Sequence, residues 1–242
     1  FHLLHKTRGI IFNTFKYSDN SLIAKIYTEE FGLQSYLINS VHGKRASTKI
    51  AVLQPLTLVD CVVYRKEKKQ LQRVKEIKCS HPYVTIPSEI SKNSILIFLN
   101  EMLYKSIREE EKNEELFEFI HTSLQVLDLK TENCSNFHLL FLLQLTKHLG
   151  FLPDGRFSAG TPYFDLRAGN FKALEPHHPF FMSRTQSEKF SKLLDLSHDR
   201  LSSFQINNKE RKALLEKIIN YYELHLANMQ EIKSHKVLEE IF

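Results

Sequence analysis

The 242-residue chain has no tryptophan and only three cysteines, and no apolar run in it reaches the length of a membrane span. Each scarcity excludes something. Cys61, Cys79 and Cys134 lie far apart and form no C-x-x-C pair, so neither a disulfide framework nor a cysteine-based zinc site is indicated. Small buried hydrophobes in a reducing compartment are the expectation for these thiols. The richest apolar stretch, Phe137 to Leu145, is too short to cross a hydrocarbon core of about 30 Å as a helix, which points to a soluble chain. Its opening residues, Phe1 to Lys6, lack the basic region, apolar core and small-residue site of a secretory signal, and the cytoplasm, next to the nucleoid, is the expected location. Also missing are G-x-x-x-x-G-K-[ST], G-x-G-x-x-G after a strand, G-x-S-x-G and H-E-x-x-H. Without these constellations no enzyme and no cofactor is expected.

What the chain does have is charge of one sign, unevenly placed. Residues 1–80 carry 14 Lys and Arg against 6 Asp and Glu, so that the remaining residues hold a net −3 of the chain's +5. A basic first third marks a candidate surface for a polyanion.

Within that third the pattern is that of strands. Thr7–Phe15 is rich in β-branched and aromatic residues, Leu22–Thr28 alternates, and after a glycine turn at Gly32 a third strand covers Gln34–Asn39. Pro55 precedes a fourth strand, Leu56–Arg65, and the charged turn Lys66–Lys69 leads into a fifth, Gln70–Cys79. Five short strands in one small domain suit a closed barrel, which leaves no edge exposed, and the five-stranded oligonucleotide-binding (OB) fold is the leading candidate, read here as a meander. Pro82 and Pro87 mark a linker.

From Ser88 the period becomes helical. Ser88 is the expected cap of a helix to about Glu110, with Ile90, Ile97, Phe98 and Met102 sharing a face. Further helices are expected from Glu114 to Leu129, with Leu116, Phe119, Ile120, Leu124 and Leu127 inward, and from Asn136 to Leu149, which should form the buried centre and end at Gly150. Residues 151–184 read as an irregular insert with a small hairpin, 162–166 against 170–174. Helices then resume behind capping boxes at Thr185–Glu188 and Asn207–Glu210, the second running to about Met229, and a short amphipathic turn is expected at 237–242. The fold class is therefore α+β: an OB-fold barrel over residues 1–80 and a helical domain over 81–242 with an irregular insert at about 151–184.

The candidate binding residues follow from charge. His42-Gly43-Lys44-Arg45 with Lys49 occupies a loop between strands, where cations can reach successive phosphates without disturbing a core. Arg65, Lys66, Lys68, Lys69 and Arg73, with Lys75, fall on the neighbouring hairpin. Tyr17, Tyr27, Phe31, Tyr36 and Tyr64 are available for base stacking, although aromatics in strands are more often core. His177, His178 and His198 have poor ligand spacing and read as structural, as do the carboxylates of Asp19, Asp60 and Asp165, whose meeting in a metal-dependent nuclease site nothing in their spacing predicts. His121, His138 and His148 fall on helices and are expected to be partly buried. An RNA-binding or scaffold module on the same barrel is the main alternative, since fold does not choose a ligand.

Several motifs, in order, carry a resemblance. Arg8-Gly9-Ile10-Ile11, Tyr17-Ser18-Asp19-Asn20-Ser21-Leu22-Ile23, Gly43-Lys44-Arg45, Leu53-Gln54-Pro55-Leu56 and Leu149-Gly150-Phe151-Leu152-Pro153 together resemble the bacterial RecO family over nearly the whole chain. The resemblance implies an N-terminal OB fold, binding of single- and double-stranded DNA with Arg8 among the contacts, and annealing of complementary strands. It also implies partners: RecR, the acidic C-terminal tail of the single-stranded-DNA-binding protein (SSB), and indirectly RecA, which such a mediator helps load. Many members carry a four-cysteine zinc module after the Leu-Gly-Phe-x-Pro stretch. Residues 154–179 here contain no cysteine, so no metal is expected, and Phe157, Tyr163, Phe164 and Phe171 are expected to stabilise the insert by packing.

Overall fold

A computed structural model describes residues 3–39, 50–66, 69–108, 110–131, 134–227, 229 and 231–242. The chain divides into two compact units, Phe1–Ser88 with Asn100–Leu129, and Glu89–Leu99 with Lys130–Phe242. Helical residues 100–129 thus group with the barrel, whereas the sequence pattern suggested a division at residue 80.

In the first unit, β1 (Leu3–Ser18), β2 (Ser21–Thr28), β3 (Gly32–Asn39), β4 (Leu58–Arg65) and β5 (Leu71–His81) close into a barrel of order β1-β2-β3-β5-β4. This is not a simple meander. β1 is long enough to pair twice, with β4 through residues 3–10 and with β2 through residues 9–18, and β3 meets β5 in parallel at Ser35–Leu37. Closure leaves no free edge. The interior is filled by Ile11, Ala24, Ile26, Tyr36, Ile38, Val59, Cys61 and Val63. A bulge between Ile11 and Asn13 inverts the alternation of β1. Phe12 points outward and stacks on Tyr27 at 5.6 Å, and the bulge turns Thr14 inward and Phe15 outward.

Two helices follow, α1 (Ile90–Ser106) and α2 (Glu114–Leu129). Phe117 of α2 lies 6.1 Å from Tyr27 and continues the aromatic stack, while Phe119, assigned to the inner stripe from periodicity, is only half-buried. Ser88 does not cap α1. Its hydroxyl donates to the Thr85 carbonyl at 3.0 Å, closing a turn one residue before the helix. Ile95, Phe98, Leu99, Met102 and Leu103 are buried on α1, but Ile90 and Ile97 are 76% and 50% exposed, so the expected four-residue face is only half right.

The proline-containing link is more ordered than its composition suggests. Backbone N–H groups of Val84, Thr85 and Ile86 all donate to the Asp128 carboxylate at the end of α2, at 2.8, 2.9 and 3.0 Å, and the Thr85 hydroxyl donates to the Asp128 carbonyl. A carboxylate accepting three backbone donors acts as a clasp of charge-assisted bonds.

The second unit is built round α3 (Phe137–His148), buried at every position from Phe137 to Leu143 and at Leu145. Gly150 ends it at φ +83, with the Phe151 N–H returning to the Thr146 carbonyl at 3.0 Å. The insert is a three-stranded sheet, β6 (Tyr163–Asp165), β7 (Asn170–Lys172) and β8 (Phe181–Met182), in the order β7-β6-β8. α4 (Arg184–Leu194) carries its capping box at Ser183 and Gln186, two residues before the expected one. α5 (Asn208–His225) has the expected box at Asn207 and Glu210, and α6 (His235–Ile241) ends the chain's helices. His138 is fully buried between Phe98 and Phe242, and burial, reinforced by Arg211, pushes its pKa down to about 3, so the ring is neutral.

Candidate nucleic-acid interface

Apart from Lys6 and Lys25, the described cations of the barrel fall into two sets. Near the open ends of β1 and β5 they are matched by acids: Lys78 lies 3.4 Å from Asp60, Lys75 3.8 Å from Glu76, and Lys16 3.5 Å from Asp19. Arg8 is held twice, by Glu29 at 2.7 Å and by Glu118 of α2, and its guanidinium lies 5.1 Å from the Phe117 ring centroid. The hydrogen bond from Arg8 is the main reason the Glu29 carboxyl titrates below its usual range. These contacts make Arg8 a strut between barrel and helix. Arg8→Gln is expected to cost about 1 kcal/mol of stability, the scale of a partly exposed ion pair, while changing DNA affinity less than about two-fold; chemical denaturation and a DNA titration of the same variant check both.

The β4–β5 hairpin is different. Arg65, Lys66, Lys69 and Arg73 have no carboxylate ion pair among the described residues. Arg65 lies over the Phe31 ring, its Cζ 4.2 Å from the centroid. The turn is braced from inside by Gln72, a buried side chain that accepts from the Lys66 N–H at 2.9 Å and donates to the Lys66 and Lys69 carbonyls at 2.8 and 2.6 Å. Gln72 escapes sequence reasoning because a polar residue in an alternating strand reads as solvent-facing. Its position three residues after the charged turn is the one available signal. The brace fixes the direction in which the tip presents its cations, and such pre-organisation lowers the ordering cost of binding.

Two grooves open at this tip. One of about 190 Å³ is lined by Phe31, Tyr64, Arg65, Lys66 and Lys69, with Glu110 its one carboxylate among the described residues. The second, of about 510 Å³, is lined by Tyr64, Lys66, Lys69, Leu71, Gln72 and Arg73, with no acid among the described residues. A larger groove of about 1060 Å³ contains Lys6, Lys75 and Lys78 but also Glu29, Asp60 and Glu76. Size is a poor guide here, because mixed charges cancel at a phosphate and the smaller cationic grooves suit a polyanion better. Lys44, Arg45, Lys49 and Lys68 lie outside the described residues. Of the aromatic candidates, Tyr27 and Tyr36 are core and Phe31 is covered by Arg65, whereas Tyr64 lines both grooves and Tyr17 is exposed.

The remaining candidates separate. Asp19 and Asp60 face lysines, and the Asp165 carboxylate accepts from the Arg167 and Ala168 N–H groups at 2.8 and 3.1 Å, with His178 3.4 Å away. His198 packs against Phe137 at 5.1 Å. No group of three or more His, Cys, Asp or Glu side chains among the described residues could hold a metal ion. The insert does not fit a four-sulfur ion, having no thiolate to offer. Its centre is aromatic instead, Phe164 meeting Phe171, Phe190 and Tyr221 at centroid distances of 5.0, 4.6 and 5.7 Å.

A five-stranded barrel closed in this strand order and carrying a braced cationic hairpin defines a protein of the OB-fold class, joined here to a helical unit. Comparison with known proteins narrows the class. The family described as recombination protein O, N-terminal, matches residues 3–83, and its C-terminal counterpart matches residues 87–235. The chain is 41% identical to the DNA repair protein RecO of Flavobacterium johnsoniae over 98% of both chains. It is 38% identical to that of Flavobacterium psychrophilum over 98% of both, and 35% identical to that of Bacteroides fragilis over 99% of this chain and all of the other. The chain belongs to the RecO family, and its role lies in DNA repair and recombination. No helix among the described residues is long and apolar enough to cross a membrane.

Proposed function

We propose that the protein is a non-catalytic recombination mediator that binds single- and double-stranded DNA through the β4–β5 hairpin and the 40–49 loop, anneals complementary strands, and acts at the nucleoid. With RecR, and through contact with the acidic tail of SSB, it helps load RecA on coated single strands. The observation that carries the reading is the set of four hairpin cations, Arg65, Lys66, Lys69 and Arg73, with no carboxylate ion pair among the described residues, on a barrel where Arg8, Lys16, Lys75 and Lys78 are paired. Cations in this state displace condensed counterions from phosphates and lower the repulsion between two strands, which favours annealing without chemistry. Partner contacts supply location.

Lys44→Glu, Arg45→Glu and Lys49→Glu together are expected to weaken DNA binding and annealing and leave folding intact, read by fluorescence anisotropy, a strand-annealing assay and circular dichroism. Undiminished affinity at moderate salt would remove the loop from the interface. Competition with RNA of matched sequence is expected to favour DNA; a preference for RNA would replace this reading.

A further inference from the structure

We infer that Glu110 is a built-in competitor for phosphate: its carboxylate shares the smaller groove at the β4–β5 tip with Arg65, Lys66 and Lys69, and it speeds the release of bound DNA. The inference rests on the DNA-binding reading above and adds a regulatory element to that same site.

Glu110 and Glu111 precede Lys112 in the link between α1 and α2, and residues 110–113 are tied to the barrel at three points. The Gln34 side-chain amide donates to the Glu110 carbonyl at 3.2 Å and to the Phe31 carbonyl at 3.1 Å. The Lys112 ammonium lies 3.3 Å from the Glu30 carboxylate, and the Tyr27 hydroxyl donates to the Asn113 carbonyl at 3.5 Å. Asn113 then starts α2 by accepting the Leu116 N–H at 3.0 Å. Phe31 is also the ring over which Arg65 lies. The tie through Gln34 therefore sets the Glu110 backbone beside the residue that carries Arg65. From there the Glu110 side chain lines the groove, exposed, and closes no ion pair with Arg65, Lys66 or Lys69 among the described residues.

This intermediate placement has a kinetic consequence. A carboxylate locked in short ion pairs would occupy the cations outright, and one placed elsewhere would act only through a field that fades over about 8–10 Å in physiological salt. A tethered anion inside the groove is present at an effective concentration set by its tether, and it meets the same cations each time a phosphate lifts. DNA held by several separate phosphate contacts is open to such competition, because those contacts break one at a time. One carboxylate carries a single charge against a polyanion, so it yields on binding and acts chiefly on release.

The test loads the full chain with a fluorescent oligothymidylate and follows its release by stopped flow after a chase with excess unlabelled strand. Glu110→Gln, nearly isosteric and at an exposed position, is expected to bind about 3- to 10-fold more tightly, mainly through slower dissociation. Its plot of log affinity against log salt is expected to steepen by about 0.7 to 0.9, one phosphate contact's worth. Glu111→Gln makes the same change in net charge outside the groove and is expected to stay within about two-fold of wild type. In a chain that also carries Arg65→Gln and Lys69→Gln, the gain from Glu110→Gln is expected to vanish, because the cations it competes for are gone. Equal gains from Glu110→Gln and Glu111→Gln, a gain that survives the loss of Arg65 and Lys69, or an unchanged release rate overturns the competitor and leaves the cationic tip standing. Failure of the wild type to bind the oligothymidylate overturns both.

Discussion

Replacing Arg65, Lys66, Lys69 and Arg73 with glutamate is expected to lower DNA affinity by roughly 10²- to 10³-fold at low salt and to remove about 3 from the slope of log affinity against log salt. The slope is the more telling quantity. Each neutralised phosphate contributes about 0.7 to 0.9 to it, so four contacts account for a change of that size, and packing effects account for none. The four residues qualify because no described acid pairs with them and because Gln72 holds their turn from within. Arg65 also covers Phe31, and losing a half-exposed cation–π contact costs about 0.5–1 kcal/mol, which thermal melting will register. A matched control comes from the paired set. Lys75→Glu with Lys78→Glu reverses two charges already engaged by Glu76 and Asp60, and is expected to lower affinity less than about five-fold, chiefly through long-range field. Equal losses in the two variants would mean that net charge, and not the tip, governs binding.

Asp128→Ala is expected to destabilise the protein by about 3–5 kcal/mol, the largest single-residue effect in the barrel unit. Its side chain is fully buried and accepts three backbone N–H groups from 84–86. Truncation leaves those donors unsatisfied, at about 1–3 kcal/mol each before relaxation. Asp128→Asn keeps one oxygen acceptor and is expected to lose about half as much. The pH dependence follows from the same contacts. Burial alone would raise the Asp128 pKa, but the Ile86, Val84 and Thr85 N–H groups, with the nearby His81, outweigh it and the net shift is downward from 3.8. A group whose folded pKa lies below its unfolded value stabilises the fold above the unfolded value, and the contribution disappears as pH falls through the folded one. Wild type should therefore lose stability below about pH 4, and Asp128→Ala should show a flatter profile there. Denaturant midpoints measured from pH 7 down to pH 3 check this, and parallel profiles for the two proteins would contradict it.

Much of this architecture was legible from local chemistry. Five strands, the linker, the α2 span from Glu114 to Leu129 and the Asn207–Glu210 capping box follow from alternation, prolines and cap residues, which act over a few positions. The parts that were not legible depend on partners distant in sequence. Closure of the barrel was expected, but its strand order was not, because β1 pairs with both β2 and β4 and nothing near Leu3–Ile10 announces β4. Arg8 looks like a phosphate contact until α2, 110 residues on, brings Glu118 to it. Phe15 looks like core because alternation from Ile11 places it inside, and one bulged residue reverses that. Asp128 closes the helix in sequence and gives no hint that residues 84–86 need its oxygens. The Ser183 cap was missed for a smaller reason: Thr185 and Ser183 both have the right spacing to an acceptor or donor, and the turn geometry at Ser183 decides.

The same contrast organises the interface. Composition finds the basic third of the chain, but only the ion-pair pattern separates cations that are occupied from cations that are not. Lys75 and Lys69 both belong to the basic cluster of this hairpin, yet one lies beside Glu76 and the other lines both grooves at the tip.

Amide chemical-shift mapping of the isotope-labelled full chain during titration with an oligothymidylate tests the cationic tip most directly. The largest changes are expected on Arg65–Lys66, Lys69–Arg73 and the 40–49 loop, and they should retreat as salt is raised. Changes confined to the helical residues 130–242, with the β4–β5 hairpin silent, would contradict it.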